Sequence, residues 1–526
     1  MNLTTEAWIP IVWADGRHDN VSLCGAFECG HEIRDLALRP HERVAVMRLL
    51  LCIAQAALDG PRDHGDWQVC RPRIIPATFD YLNRWRAAFE LFGSGQRFLQ
   101  VSNLEKPEAC EDDDEGSSAS KLDLALATGN NTTLFDNAGG SKRTFTSPEL
   151  ALMLTTFQCF SPGGRIGVAL CDGRETPGKG SSKHAPCLAG GMLHALLRGD
   201  HLLATIHKNL MSKEQVDRFY GSGSWGKPVW ENSPQRLSDA EAAHNATRTY
   251  LGRLLPLARA ISLGEDGESL ILANGLPYES FEDSGWREPT ATVIVRTVKG
   301  ESKRVVLRAS VARALWRELY ALTVRAVGEN PGGPSALQHL ADDEPFDLWV
   351  GGLVADQAKP VDTVESVFHI PGVMLDPAGQ RRYEDGVHYS EGMEGRLLKA
   401  LSAYRVAMET GEKDMDGIRR RLGALKRPER ERFRQLSAKA QGQFWTEVEL
   451  AVPRLLEVVG NPEKPGLTGD WHNTGWGKAV WSAMRTAYER ACPHETPRQM
   501  RAYALGSGTL FSAPIEEDRS AQEDEV

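Results

Sequence analysis

The chain has 526 residues, more than one ordinary core organises, so two or three domains are expected. Its hydrophobic content of 41% and charged content of 25% are those of a globular protein. A formal net charge of −10 argues against a free-standing, non-specific DNA binder, whose affinity rests on many Lys and Arg. Local basic patches remain possible on a chain held in place by partners.

Nine cysteines are scattered: Cys24, Cys29, Cys52, Cys70, Cys110, Cys159, Cys171, Cys187 and Cys492. No two stand as C-x-x-C, so a zinc knuckle is not expected, although His184 with Cys187 leaves one small opening for a metal. The odd count and the lack of a secretory leader suggest reduced thiols and a cytoplasmic location. The richest apolar run, Val44 to Leu58, is interrupted by Arg48 and Gln55, so no membrane span is expected.

Trp8 to Trp13 reads as a first strand, closed by a turn at Asp15-Gly16, and Ser22 to Phe27 as a short second element. Pro40 opens a strong helix: Val44, Met47, Leu51, Ala54 and Leu58 recur at three- and four-residue steps until Gly60-Pro61. Ile74 to Phe92 predicts another helix and Phe98 to Val101 a short strand. Glu105 to Ser120 is acidic and reads as a solvated loop. Thr128 to Gly140 is a polar, turn-prone run. Ser147 looks like an N-cap with Pro148 at N1, and Leu150, Met153, Leu154 and Phe157 form that helix's inner stripe.

A second glycine-rich run, Pro177 to Lys183, comes next. Met192 to Leu197 and Leu202 to Leu210 are apolar-periodic, Gly221 to Gly226 is a loop, and Ala240 to Leu263 is helical in pattern. Ala291 to Val298 and Arg304 to Leu307 alternate as a hairpin about Lys299-Gly300. Arg313 to Ala326 predicts a helix, and Phe346 to Leu353 a strand leading into Ala355-Asp356-Gln357-Ala358.

The character changes near Gly372. Asp376-Pro377-Ala378-Gly379-Gln380 is a linker signal. Beyond it, segments near Glu394 to Glu409, Gly411 to Leu425, Pro428 to Val459 and Trp476 to Cys492 carry helical periodicity, and long helices with short connections predict a bundle. The expected architecture is α+β: a large mixed N-terminal domain over 1–372, a linker over 373–384, an all-α four-helix bundle over 385–512 and an acidic tail over 513–526.

Two motifs suggest nucleotides. Gly221-Ser-Gly-Ser-Trp-Gly226 matches G-x-G-x-x-G, but a helical pattern precedes it where the dinucleotide fingerprint needs a strand. Gly173 to Ser182 nearly matches the Walker A loop. Gly180 stands where a Ser or Thr should hold Mg²⁺, and Pro186 shortens any following helix. A nucleotide-binding enzyme using Gly173–Ser182 is the alternative function; phosphate contact without hydrolysis needs less. His31, His41 and His184 read as surface or satisfied structural histidines rather than bases. No catalytic residue, cofactor or metal site is expected. Arg419 to Lys439 is strongly basic, including Arg420, Arg427 and Arg430, and reads either as a solvated helix face or as a phosphate track.

Met1-Asn2-Leu3, Trp8-Ile9-Pro10, Cys52-Ile53-Ala54-Gln55 and Leu134-Phe135-Asp136-Asn137 together resemble the CasA family, the large subunits of the type I-E CRISPR Cascade complex. Pro177 to Gly199 resembles that family's glycine loop, and Val350-Gly351-Gly352 with Gln357 resembles the strand carrying its wedge glutamine. The resemblance covers nearly the whole chain. It implies a non-catalytic subunit that recognises a protospacer-adjacent motif (PAM) in double-stranded target DNA. Phe135, Asp136 and Asn137 would meet the PAM end and the crRNA 5′ handle. Gly178, Lys179, Gly180, Ser181 and Ser182 would lie against the PAM minor groove, and Gln357 would help open the duplex. The implied partners are crRNA, the backbone, 5′-handle and small subunits of Cascade, and the CRISPR helicase–nuclease. The family's wedge lysine has no counterpart between Ile271 and Thr290, where Arg287 is the cation that could substitute.

Overall fold

The computed structural model describes residues 1–511 except 102, 107–117, 126–142, 164–168, 172, 177–183, 189–190, 235–236, 238, 299, 327, 329, 357–358, 423–426 and 462–469. The chain divides into two units, Met1–Leu375 and Asp376–Val526.

In the first unit, Ile9–Trp13 forms the middle of a three-stranded antiparallel sheet between His18–Val21 and Ile33–Leu36. Gly16 turns the first hairpin at φ +87, a conformation that favours glycine. The Pro40–Leu58 helix then enters the core. Its start is fixed by Glu42, which accepts from the Arg39 N–H at 2.9 Å, and by Pro40 at the first position. Every residue from Val44 to Gln55 is buried, so this helix is covered on all sides and an inner stripe alone understates it.

Covering it completely places Arg48 in the interior, 1% exposed. Its guanidinium donates to Glu288 at 2.9 Å and to the carbonyls of Leu254 and Arg253 at 2.8 and 2.6 Å. Arg253 donates to the same carboxylate at 2.6 and 3.1 Å. A buried Arg–Glu–Arg group thus ties the central helix to the Tyr250–Leu254 helix and to the segment before the Val293–Val298/Glu301–Val306 hairpin. Burial alone would raise the Glu288 carboxyl, but Arg253 and Arg48 outweigh it and hold it below the usual range.

The longest sheet places Phe346–Asp356 between Lys359–Ile370 and His194–Arg198, all antiparallel. A two-stranded ladder pairs Arg259–Leu263 with Leu270–Asn274. Several expectations change here. Ala240 to Leu263 is a helix over Ala240–Arg248, a short helix over Tyr250–Leu254 and then a strand, because Pro256 stops helical hydrogen bonding. Met192 to Leu197 joins a strand. Arg313 to Ala326 holds only a 3₁₀ turn, Leu315–Glu318, and the short helix Leu319–Leu322. The helix expected over Ile74 to Phe92 is Arg71–Arg84 followed by a 3₁₀ turn at Arg86–Phe89. Phe98 to Val101 is not a strand. Leu99 has φ +50, and the buried Gln100 side chain bridges the Leu91 carbonyl and the Leu263 N–H in place of ladder bonds.

The second unit is helical among its described residues. Its helices are Pro377–Thr410, Met415–Leu422, Arg427–Leu450, Val452–Gly460, Gly475–Ala491 and Pro497–Phe511, the last not anticipated. The linker expected over 373–384 is instead a 3₁₀ turn, Gly372–Leu375, and the start of the first helix. Asp376 caps it by accepting from the Ala378 N–H at 2.7 Å, and Pro377 takes the first position. Asp-Pro signals a turn and a helix start alike. Trp476 donates to the Gly386 carbonyl at 2.9 Å, Tyr488 to that of Tyr503 at 2.9 Å, and Trp445 to Glu394 at 2.7 Å, so the four long helices are cross-tied. Gly506 permits a close approach: a Cβ there would collide with the Tyr488 hydroxyl and stand 2.7 Å from the Ala400 carbonyl oxygen. No helix of the described residues is long and apolar enough to cross a membrane.

Candidate nucleic-acid interface

Phe135, Asp136 and Asn137 lie outside the described residues, but both ends of their segment are described. The entry side is a 3₁₀ turn, Ala119–Leu122, with the Ala119 N–H donating to the Glu268 carbonyl at 2.7 Å and Ser118 bridging Ser269. On the exit side, the Phe145 N–H donates to the Gly267 carbonyl at 3.0 Å, and Thr144 donates to the Glu268 carboxylate. Both ends are therefore tied to the turn between Leu263 and Leu270. That turn is braced by Asp266, whose carboxylate accepts from the N–H groups of Glu268 and Ser269 at 2.9 and 2.8 Å. These bonds lower the Asp266 pKa. Gly267, at φ +73, leaves no room for a side chain: a Cβ would stand 2.5 Å from the Phe145 carbonyl oxygen.

The exit leads into the Ser147–Phe160 helix. Thr146, not Ser147, is its N-cap. Glu149 accepts from the Thr146 N–H at 2.8 Å, and Pro148 stands second. Fourteen residues at 1.5 Å each carry the chain about 21 Å to the base of the glycine run.

Gly178, Lys179, Gly180, Ser181 and Ser182 also lie outside the described residues. On the entry side, Thr176 pairs with Ala169 through two bonds of 2.7 and 3.1 Å. On the exit side, Ala185 and Cys187 donate to the carbonyls of Ser161 and Cys159 at 3.0 and 3.1 Å, stitching the chain to the helix's C-terminal end. His184 Nδ1 accepts from the Gly163 N–H at 2.9 Å, and burial with Arg259 nearby lowers its pKa. It is a structural histidine. His194 lies beneath: Nε2 donates to the Cys187 carbonyl at 2.9 Å, so Nδ1 accepts from Thr290 at 2.8 Å. Among the described residues, no group of three or more His, Cys, Asp or Glu could hold a metal.

Gln357 lies outside the described residues as well, at the tip between paired Asp356 and Lys359. Its strand passes Gly191: a Cβ there, at φ +80, would stand 3.6 Å from the Ala355 nitrogen. Gly191, eight residues beyond the glycine run, thus lies against the strand that leads to Gln357.

Arg287 is not available as a wedge residue. It is 2% exposed and donates to the carbonyls of Ala291, Asn330, Gly332 and Gly333. The near-Walker reading also loses its geometry. Gly173, at φ +72, is the turn between Leu170–Cys171 and Arg174–Glu175, so the motif starts inside a hairpin rather than at a strand end feeding a helix. Gly221 follows the helix Lys213–Tyr220, not a strand. His41 is buried, neither surface-exposed nor satisfied: among the described residues neither ring nitrogen has a hydrogen-bond partner.

Arg420, Arg427 and Arg430 are exposed, on Met415–Leu422 and Arg427–Leu450. Neighbouring arginines are paired: Arg421 with Glu412 and Arg432 with Glu409, both at 3.2 Å. Arg420 and Arg427 have no carboxylate partner among the described residues. Sequence reasoning missed a basic face on the Val293–Val298/Glu301–Val306 hairpin, where Arg296 stands directly opposite Lys303. A like-charge cross-strand pair is unfavourable unless an anion faces it, and here Glu301 lies 3.3 Å from the Lys303 ammonium. The signal was legible: placing the turn at Lys299-Gly300 fixes that register.

The α+β unit followed by a helical unit is a known arrangement. A crystal structure of CasA from Thermus thermophilus superposes with a TM-score of 0.73 at 25% identity, covering 97% of this chain and 98% of its own. Cse1 from Acidimicrobium ferrooxidans gives 0.72 at 19% identity, over 97% and 96%. A chain of a structure described as a CRISPR RNA-guided surveillance complex gives 0.67 at 19%, over 97% and 99%. In sequence, the CasA/Cse1 protein of T. thermophilus is 29% identical over 508 residues, 92% of each chain. This protein belongs to the family described as CRISPR-associated protein Cse1, which matches residues 2–487.

Proposed function

We propose that the protein is the non-catalytic large subunit of an RNA-guided Cascade surveillance complex in the cytoplasm. In this reading it recognises the PAM in double-stranded target DNA, helps open the duplex and recruits the helicase–nuclease. The observation that carries the reading is likeness along the whole chain, with the family matching residues 2–487 and a surveillance-complex chain covering 97%. The first unit supplies the PAM contacts, through Phe135, Asp136 and Asn137, through Gly178 to Ser182, and through Gln357. Minor-groove readout is degenerate, so a backbone-lined glycine run suits several related PAMs while guide pairing reads the rest. The second unit faces the small subunits and the displaced strand.

The test is duplex binding by the reconstituted complex, with its crRNA, across a PAM library, with ATP hydrolysis measured on the same preparation. PAM-ranked binding without hydrolysis is expected. A complex carrying Gly178→Val and Gly180→Val should assemble normally and lose the ranking, because a side chain blocks close backbone approach to the groove. Unranked binding together with Lys179-dependent hydrolysis would instead identify a nucleotide enzyme.

Arg420 and Arg427 are expected to contact phosphates. Replacing both with alanine should flatten the salt dependence of target binding by about two in logarithmic slope, about one for each contact. An unchanged slope, measured by titration between low and moderate salt, would make them solvated surface.

A further inference from the structure

The end of the last helix fixes where the acidic tail leaves the second unit. Leu510 is 1% exposed, and the Phe511 ring stands 5.8 Å from that of Trp481. Just before them, the Thr509 hydroxyl lies 4.0 Å from the Met415 sulfur. Met415 begins the helix that carries Arg419, Arg420 and Arg421. The chain therefore departs beside the base of the basic helix pair, with Arg420 about 7.5 Å further along that helix.

The tail is complementary to these helices in charge and sufficient in length. Residues 512–526 contain Glu516, Glu517, Asp518, Glu523, Asp524 and Glu525 against one cation, Arg519. Extended, they span at most about 50 Å, enough to reach Arg420, Arg427 and Lys439. Those three exposed cations have no acidic partner among the described residues, whereas Arg421, Arg432 and Arg434 are each already paired. A tethered segment of opposite sign meets such a surface at an effective concentration in the millimolar range.

We propose that the acidic tail, residues 512–526, docks on the unpaired cations of the Met415–Leu422 and Arg427–Leu450 helices and competes there with nucleic-acid phosphates. The competition rests on the phosphate-track reading of these helices; the docking does not. Neighbouring carboxylates present a line of negative charge, as a phosphate backbone does. Nucleic acid must then displace the tail, so weak, non-specific binding is suppressed while a correctly seated strand, held by further contacts, is not.

The test compares the full chain with one ending at Phe511. Binding to a generic duplex oligonucleotide is measured at 50 and 300 mM salt. Carbodiimide crosslinking, mapped by mass spectrometry, reads contacts from Lys439 to the tail carboxylates without any DNA. Removing the tail should tighten binding by about tenfold at low salt and leave it unchanged at high salt, where both interactions are screened. The gain should vanish in the Arg420→Ala, Arg427→Ala chain. Salt-sensitive crosslinks with no change in DNA affinity would support the docking and overturn the phosphate track. An equal gain in the arginine-substituted chain would mean general charge repulsion and overturn the proposal, as would the absence of crosslinks at low salt.

Discussion

Replacing Glu288 with alanine is expected to lower the stability of the first unit by about 3–5 kcal/mol, because it leaves Arg48 and Arg253 buried without their shared counter-charge. Glu288→Gln should cost nearly as much, since an amide keeps the shape but not the charge. Denaturant unfolding of the full chain measures this, with the two units analysed as separate transitions. A loss below about 1 kcal/mol for Glu288→Ala would mean the group is not a stabilising centre. Acid adds a second signature. Glu288 is held below the usual carboxylate range, so its contribution is present above that range and lost as pH falls through the depressed value. Buried histidines act earlier. Burial, with Arg39 nearby, pushes His41 down to about 3, and burial with Arg48 pushes His194 down to about 4. Unfolded histidines gain their proton near 6.5, so stability should begin to fall below about pH 6.5, before the carboxylates titrate.

The Phe135→Ala, Asn137→Ala chain is expected to keep its thermal midpoint and to lose target binding in the assembled complex by about 1–3 kcal/mol for each unstacked base. An aromatic face and an amide edge offer stacking and hydrogen bonding to a nucleotide. The midpoint should hold because Ser118, Ala119, Thr144 and Phe145 tie both ends of this segment to the 264–269 turn. A large fall in midpoint with unchanged binding would make Phe135 a core residue and remove this segment from the interface.

How much was legible followed from how local each signal is. The Pro40–Leu58 helix was readable because its stop signals and its periodicity stand in one stretch. The Val293–Val298/Glu301–Val306 hairpin was readable from its alternation and turn. Lys359–Ile370 was missed because Val361, Val364, Val367 and Ile370 recur every third residue, which suggests a helix until a long partner strand pairs it. Arg287 was misread for the opposite reason. A lone arginine looks like an available charge, and only folding surrounds it with backbone carbonyls from residues some forty positions later. The Arg48–Glu288–Arg253 group joins residues 240 apart, and nothing in their local sequence announces it. In the candidate interface, sequence supplied candidate residues, and the structure supplied the described ends of their segments.

The single turn that holds both ends of the 126–142 segment also separates what can vary from what must not. Asp266 and Gly267 fix the two attachment points, and the chain between them closes a loop whose entropy grows only with the logarithm of its length. Doubling it would cost about 0.6 kcal/mol. Insertions, deletions and changes of residue there are cheap for the host protein, while a change at Gly267 displaces Phe145. Under the proposed function, motif preference at this end can therefore change with the scaffold left untouched.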